Sequence, residues 1–419
     1  MHKEVIMNID TNVLKIVNNA EKKLSNFYTE LENIAFLNQK KVLEAFQNNN
    51  VALRHFSGTT GYGYDDIGRD TLCKVYADIF HCESAVVSPL IASGTHALTL
   101  ALFGILRAND KMLAISGSPY DTLMSVIQGE NIGSLKDFGV KYEQIELLNN
   151  DFDLNSIEKS IKSELPKLIF IGRSRGYEWR DALSVEKIGK VINFIKKLNK
   201  DIIVMVDNCY GEFMDTIEPT DVGADLMVGS LIKNAGGGLA PTGGYIAGTQ
   251  KAVEQVAFRL TSPSIGMEIG SYTYGYQYFY QGVFIAPHIT MNATKGSALF
   301  GQVFSDLGYE VCPNPTAKCN DTVRSIKFNT KDELISFVQS IQKASPIDSN
   351  VLPMPWAMPG YDDEVIMAAG TFVAGASIEL SADSPIKEPY IAYVQGGLTY
   401  EHVKLAVIMC VQELLNAKK

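Results

Sequence analysis

Short apolar runs separated by helical stretches recur along the middle of the chain. "AVVSPL" (85–90), "MLAIS" (112–116), "KLIFIG" (167–172), "DIIVMVD" (201–207), "DLMVGS" (225–230) and "GGYIAG" (243–248) each read as a buried strand. Between them, residues 184–200 put Ile188, Val191, Ile192 and Ile195 at the i, i+3, i+4, i+7 spacing of a helix, with Ser184 able to cap its start. Apolar strands alternating with amphipathic helices predict a mostly parallel sheet covered on both faces. In such sheets ligands collect at the carboxyl ends of the strands.

The two ends of the chain have a different grain. Residues 1–55 carry Asn, Lys and Glu between apolar positions, and the first fifty hold no Gly or Pro. They predict a helical arm that packs on the main domain or on a neighbouring subunit. Residues 56–285 form the expected large domain. Beyond it, "TVRSIKF" followed by "KDELISFVQSIQKASP" reads as strand then helix, and "ASIELSA" (376–382) as a further strand. A smaller α+β domain is therefore expected over 286–419. The aromatic stretch "YTYGYQYFYQGVF" (272–284) fits packing at a domain or subunit interface.

Composition narrows the class. Apolar residues make up 46% and charged residues 20% of the 419, as in a soluble globular protein. A net charge of −10 without any basic run argues against nucleic acid as a partner. The six cysteines include no CxxC pair, which suits a reducing compartment better than a disulfide framework. "MHKEVIMNIDTNVL" has no basic region leading into an apolar one, and residues 90–106 are interrupted by Ser, Gly, Thr and His. The expectation is a cytoplasmic protein with no membrane partner.

Four local features could carry chemistry. Asp207 ends the apolar strand of "VMVDNCYGEF". A carboxylate there is either a cap or turn residue or one that faces a cation or donor. In "GADLMVGSLIKNAGGG", Ser230 closes another strand and Lys233 follows three residues later, ahead of Gly236, Gly237 and Gly238. Lys233 is a solvated loop lysine or a reactive amine. Ser93, Gly94 and Thr95 lead from a strand into an apolar helix, which makes either an ordinary N-cap or an anion site. Tyr120 in "SGSPYDTL" follows a strand, where its flat face could stack on a ligand. Taken together they suit pyridoxal phosphate, which needs an amine, a carboxylate for its pyridine nitrogen, a phosphate nest and an aromatic surface. The glycines after Lys233 are expected to let the cofactor approach closely. The histidines lack metal-ligand spacing with cysteines or carboxylates, so no metal site is expected.

These residues carry a resemblance. "VMVDNCY" with "GADLMVGSLIK" is similar to the aspartate and lysine motifs of the fold-type I, pyridoxal-phosphate-dependent Cys/Met-metabolism enzymes, which include cystathionine lyases and methionine gamma-lyase. The runs "GYGYDDIGRDTL", "SGTHAL", "PYDTL", "RSRGYEWR", "GSLIKNAGGG", "MPGYDDEVIMAAGTF" and "GASIELSADSP" resemble an aluminium-resistance or methionine gamma-lyase-like branch. The resemblance implies an aspartate-aminotransferase-like α/β fold and a homo-oligomer, a dimer of dimers with active sites shared across the dimer interface. It implies that Lys233 is the Schiff-base lysine and that Asp207 partners the pyridine nitrogen. Gly94, Thr95 and Ser230 would hold the phosphate, Tyr120 would stack on the ring, and Tyr64 would reach the neighbouring subunit's phosphate.

The chain departs from that pattern on the substrate side. Two residues after Tyr64 the parent family has an arginine, and here the position is Asp66, with Arg69 a possible substitute. Glu379 stands where the family's substrate-carboxylate arginine would be sought. Arg173 or Arg175 of "RSRGY" would take over that role or form structural ion pairs. The activity implied is β- or γ-elimination on a sulfur-containing amino acid. Aldol cleavage, transamination and a low-turnover cofactor-binding stress or regulatory protein are the alternatives.

Overall fold

Alternation along the central strands shows how the sheet is buried. Met112, Phe170 and Met205 point into one apolar layer, while Leu113, Ile169, Val204 and Val206 point into another. Side chains on successive strand residues face opposite ways, so strands that are apolar at every position need cover on both sides. The computed structural model of the chain describes residues 9–358 and 363–417. Residues 1–8 of the amino-terminal stretch, and 359–362 of the "MPGYDDEVIMAAGTF" run, lie outside these.

The strands of the larger sheet are β1 (Ser84–Ser88), β2 (Lys111–Ala114), β3 (Lys141–Gln144), β4 (Leu168–Gly172), β5 (Ile203–Asp207), β6 (Leu226–Ser230) and β7 (Gly244–Gly248). Their spatial order is β1-β7-β6-β5-β4-β2-β3. β7 runs antiparallel to both its neighbours and every other pairing is parallel. The helices Gly94–Ile105 and Gln250–Leu260 cover one face, and Leu154–Ser163 with Val185–Leu198 cover the other. Ser184 caps Val185–Leu198 through a bond from Lys187 N, as the sequence predicts. This is the seven-stranded, mostly parallel sheet of fold-type I pyridoxal-phosphate enzymes.

The second sheet is antiparallel, with β8 (Glu310–Cys312), β9 (Arg324–Lys327), β10 (Val365–Ala368), β11 (Ser381–Pro385) and β12 (Ile391–Gln395) in the order β10-β11-β12-β9-β8. The helix Lys331–Ala344 packs on β10 and β11 and on the helix Tyr400–Ala417. The strand expected at 376–382 begins only at Ser381. Residues 376–380 turn instead, because the buried Glu379 carboxylate accepts the backbone N–H groups of Phe372 and Val373, each at 2.9 Å. The chain divides into two compact units, one of Ile34–Thr290 and one of Met1–Asn33 with Met291–Lys419. Among the described residues no helix is long and apolar enough to cross a membrane.

Candidate active site

The larger sheet brings six of the candidate residues to its carboxyl end. Asp207 terminates β5 and Ser230 terminates β6, its neighbour. Gly94 opens the apolar helix above them. A Cβ on Gly94 would lie 3.3 Å from Ser230 Cβ and 3.6 Å from Cys209 Sγ, so the missing side chain keeps this approach open. Ser93 Oγ accepts a bond of 3.0 Å from His96 N. Helix geometry leaves the first-turn N–H groups of Gly94 and Thr95 without intrahelical partners. Thr95 Oγ1 and the Tyr120 hydroxyl share a bond of 2.9 Å, which ties the start of this helix to the loop after β2. Lys233 Nζ sits over the Tyr210 ring, 4.0 Å from its centroid.

Charge in this cluster is strongly coupled. Burial holds the Asp207 carboxyl above its ordinary value, and the Lys233 ammonium and the Cys209 N–H and S–H offset only part of that rise. Cys209 N donates to Asp207 Oδ1 at 3.1 Å. Burial works against the Lys233 ammonium, but Cys209, Tyr210, Asp207 and Tyr120 outweigh it and raise its proton affinity well above that of an ordinary lysine. A carboxylate and an amine at the ends of adjacent strands thus stabilise each other's charged forms.

The donor set suits pyridoxal phosphate. Ser230 Oγ is fully buried and has no hydrogen-bond partner, beside the space that Gly94 leaves. An unmatched buried hydroxyl next to two unpaired first-turn N–H groups is suited to an anion such as phosphate. Asp207 suits a protonated pyridine nitrogen, and Lys233 supplies the amine that an aldehyde requires.

The other candidates lie apart from this set. Tyr64 is 62% exposed on a loop, with its ring 5.5 Å from that of Tyr62. Arg69 is buried and donates to Asp70, Gly63 O and Gly270 O, so its guanidinium holds the loop that carries Tyr64. Asp66 caps the helix Ile67–Ile79, accepting from Gly68 N, Arg69 N and the Tyr276 hydroxyl. Its place in the sequence is therefore filled by a structural cap. Arg173 is 1% exposed and donates through Nη1 to Asn208 Oδ1 at 2.7 Å, Gly211 O at 2.9 Å and Glu218 Oε2 at 3.4 Å. That geometry is a structural ion pair through Nη1, with Nη2 buried and without a partner. Arg175 is also buried.

Two of the glycines after Lys233 are required by the chain's own packing. A Cβ on Gly236 would collide with Leu231 O, and one on Gly237 with Gly282 O. Gly237 also has φ +58°. Cys209, Tyr210 and Glu212, absent from the candidates, prove to surround Lys233 or its support. Tyr210 (φ +70°) and Phe213 (φ +62°) adopt left-handed backbone that is uncommon for bulky side chains, and no periodic signal in the sequence announces it.

A family model described as methionine gamma-lyase matches residues 13–415. An uncharacterised protein of Bacillus subtilis, YnbB, is 48% identical over 400 residues, covering 94% of this chain and 95% of its own. The solved structure of a carbon-sulfur lyase involved in aluminum resistance from Clostridium novyi NT is 50% identical, with a TM-score of 0.93 and 97% of each chain covered. At 13% identity, cystathionine gamma synthase from Xanthomonas oryzae shares the fold, with a TM-score of 0.58 over 86% of this chain and 93% of its own.

Proposed function

The chain belongs to the methionine gamma-lyase family, and from this we propose that it is a pyridoxal-phosphate-dependent carbon–sulfur lyase acting on a sulfur-containing amino acid. The observation that carries the proposal is the unmatched Ser230 hydroxyl beside the Gly94 gap, at the sheet end that bears Asp207 and Lys233. Bound there, pyridoxal phosphate supplies an electron sink for the carbanion left when the substrate's α-proton departs.

The chain's own groups do the rest. Gly94 and Thr95 N–H and the Ser230 hydroxyl hold the phosphate. Tyr120 offers its ring to the pyridine face, and Asp207 keeps the ring nitrogen protonated. Lys233 would hold the cofactor through its amine, which the substrate would displace. With its own amine free, it takes the α-proton and returns a proton to the departing sulfur. Pairing Asp207 with a pyridinium withdraws one of the charges that raise the Lys233 proton affinity, which helps the amine to act as a base. Elimination yields a thiol and an imine, which water hydrolyses to a 2-oxo acid and ammonia.

Arg173 Nη1 serves Asn208, Gly211 and Glu218, while its Nη2 is buried without a partner. Arg175, two residues on in the same run and also buried, is the proposed partner of the substrate's carboxylate. The engagement of Arg173 Nη1 favours the second reading, a cofactor-binding protein of low turnover. The exposed Leu53, Tyr62, Tyr64 and Tyr274 support assembly as a homo-oligomer with Tyr64 serving a neighbouring site.

Incubation with pyridoxal phosphate should turn the protein yellow, and borohydride should then fix the cofactor on Lys233. Lys233→Ala should stay colourless. A wild-type protein that remains colourless would sink the proposal. Product analysis then separates elimination (thiol and 2-oxo acid) from aldol cleavage (aldehyde), transamination (a new amino acid) and low turnover.

A further inference from the structure

Glu212 is a buried acid that the proposed chemistry does not use. It follows Asp207 by five residues and is 0% exposed. Its Oε1 accepts a bond of 2.8 Å from the Tyr245 hydroxyl on β7. Its Oε2 is buried without a partner. Gly229 in β6 makes the room for it, since a Cβ there would lie 2.5 Å from Glu212 Oε1 and from the Tyr245 ring. The glycine of "VGSLIK" is thus a vacancy cut for this carboxyl group.

The same residue supports the segment that carries Lys233. Asn234, next in sequence, donates through Nδ2 to Glu212 O at 3.0 Å. Asn234 Oδ1 is buried and, like Glu212 Oε2, has no partner. Two neighbouring residues therefore each present an unmatched acceptor. A proton on Oε2 converts one of these acceptors into a donor, as buried polar groups require.

We infer that Glu212 is a positioning residue: held by Tyr245 and holding Asn234, the residue next to Lys233, its buried carboxyl sets how readily the Lys233 amine gives up its proton. The inference rests on the reading of Lys233 as the reactive amine. Burial raises the Glu212 carboxyl to about 8, against the Tyr245 bond, and Glu218 raises it while Lys233 lowers it. The titratable groups that feel Glu212 are Tyr76 from the helix Ile67–Ile79, Cys209, Lys233 and Tyr245, with Glu218 adding like charge. Coupling between two titrating sites is reciprocal, so a neutral Glu212 makes the Lys233 ammonium easier to deprotonate and an ionised one makes it harder. A raised acid holds its proton better in the folded than in the unfolded chain. Its contribution to stability is complete below its ordinary value of 4.5 and is lost as pH rises towards 8. A glutamine could accept from Tyr245 without that loss.

Two measurements on wild type and Glu212→Gln test this. The first is the pH midpoint for fixing pyridoxal phosphate on Lys233 with borohydride, read by peptide mass spectrometry. The variant's midpoint should fall by roughly half a pH unit. The second is thermal denaturation from pH 4 to 9, which needs no cofactor. The variant should gain on wild type as pH rises through that window, and Tyr245→Phe, without the hydroxyl on Oε1, should move the upper end of the wild-type decline to higher pH. Coincident midpoints with Lys233 labelled in both proteins would overturn the inference, as would parallel thermal profiles. Failure to label wild-type Lys233 at all would instead bring down the reading of that lysine, and this inference with it.

Discussion

Thr95 and Tyr120 join two loops at the carboxyl end of the larger sheet by a bond of 2.9 Å between their hydroxyl oxygens. The helix start that offers N–H groups to an anion is thereby held in register with the aromatic ring proposed to lie on the cofactor. Tyr120→Phe keeps the ring and removes the bond. Loss of one such bond costs about 1 kcal/mol, so cofactor affinity should fall by about five- to tenfold. Thr95→Val should act similarly, and the double variant should fall short of the product of the two. Equilibrium titration with pyridoxal phosphate, followed by absorbance, measures all three.

Arg173 and Glu218 separate a structural role from a substrate-binding one. Both are buried, and Glu218 also accepts from Asn208 Nδ2 at 3.0 Å and Phe213 N at 2.8 Å. Removing one partner strands the other charge, and Arg173→Met should cost about 3–5 kcal/mol in urea denaturation. Replacing both residues with apolar ones should cost less. A milder Arg173→Lys variant should lose stability while leaving KM unchanged. A raised KM at intact stability would return Arg173 to the substrate.

Glu21 gives a pH signature in the other unit. Burial raises its carboxyl, but hydrogen bonds from Lys404 and Tyr400, with the Lys404 charge, outweigh it and hold the group below the ordinary carboxylate value. A lowered acid contributes stability above its unfolded value and loses it as pH falls through the folded one. Glu21→Gln should therefore lower the thermal midpoint at neutral pH, with the deficit vanishing as pH drops below about 4. Differential scanning calorimetry across that range provides the check.

Tyr64 and Leu53 bear on assembly. Leu53 is 83% exposed, and Tyr274, 90% exposed, lies on the aromatic stretch read as an interface. A charged residue in place of Leu53 should dissociate the proposed oligomer, observed by light scattering after size exclusion. Tyr64→Phe should leave assembly intact and weaken retention of the cofactor.

Most of the larger sheet was legible because its strands are apolar on both faces. β3 was not, since "KYEQ" is an edge strand bonded on one side only and carries polar residues. Asp207, Lys233 and Gly94 could be picked out because each departs from its local pattern at a strand or helix end. Glu212 and Tyr210 could not, because their importance comes from burial and from backbone turned left-handed after β5, and neither leaves a period in the sequence. Residue type left Arg173 open between a substrate partner and a structural ion pair, and only the fold shows its Nη1 paired with buried Glu218, as it shows Asp66 to be a helix cap.

Glu379 has a consequence for how this chain could change. Its two carboxylate oxygens each hold a backbone N–H, of Phe372 and of Val373. An arginine at that position would offer only donors and leave both N–H groups unmet, at a cost of about 1–3 kcal/mol each. A single substitution to arginine is therefore penalised before it can recognise anything. The turn over 376–380 works as a ratchet: recognition of a substrate carboxylate must be built elsewhere, or the turn must be rebuilt first.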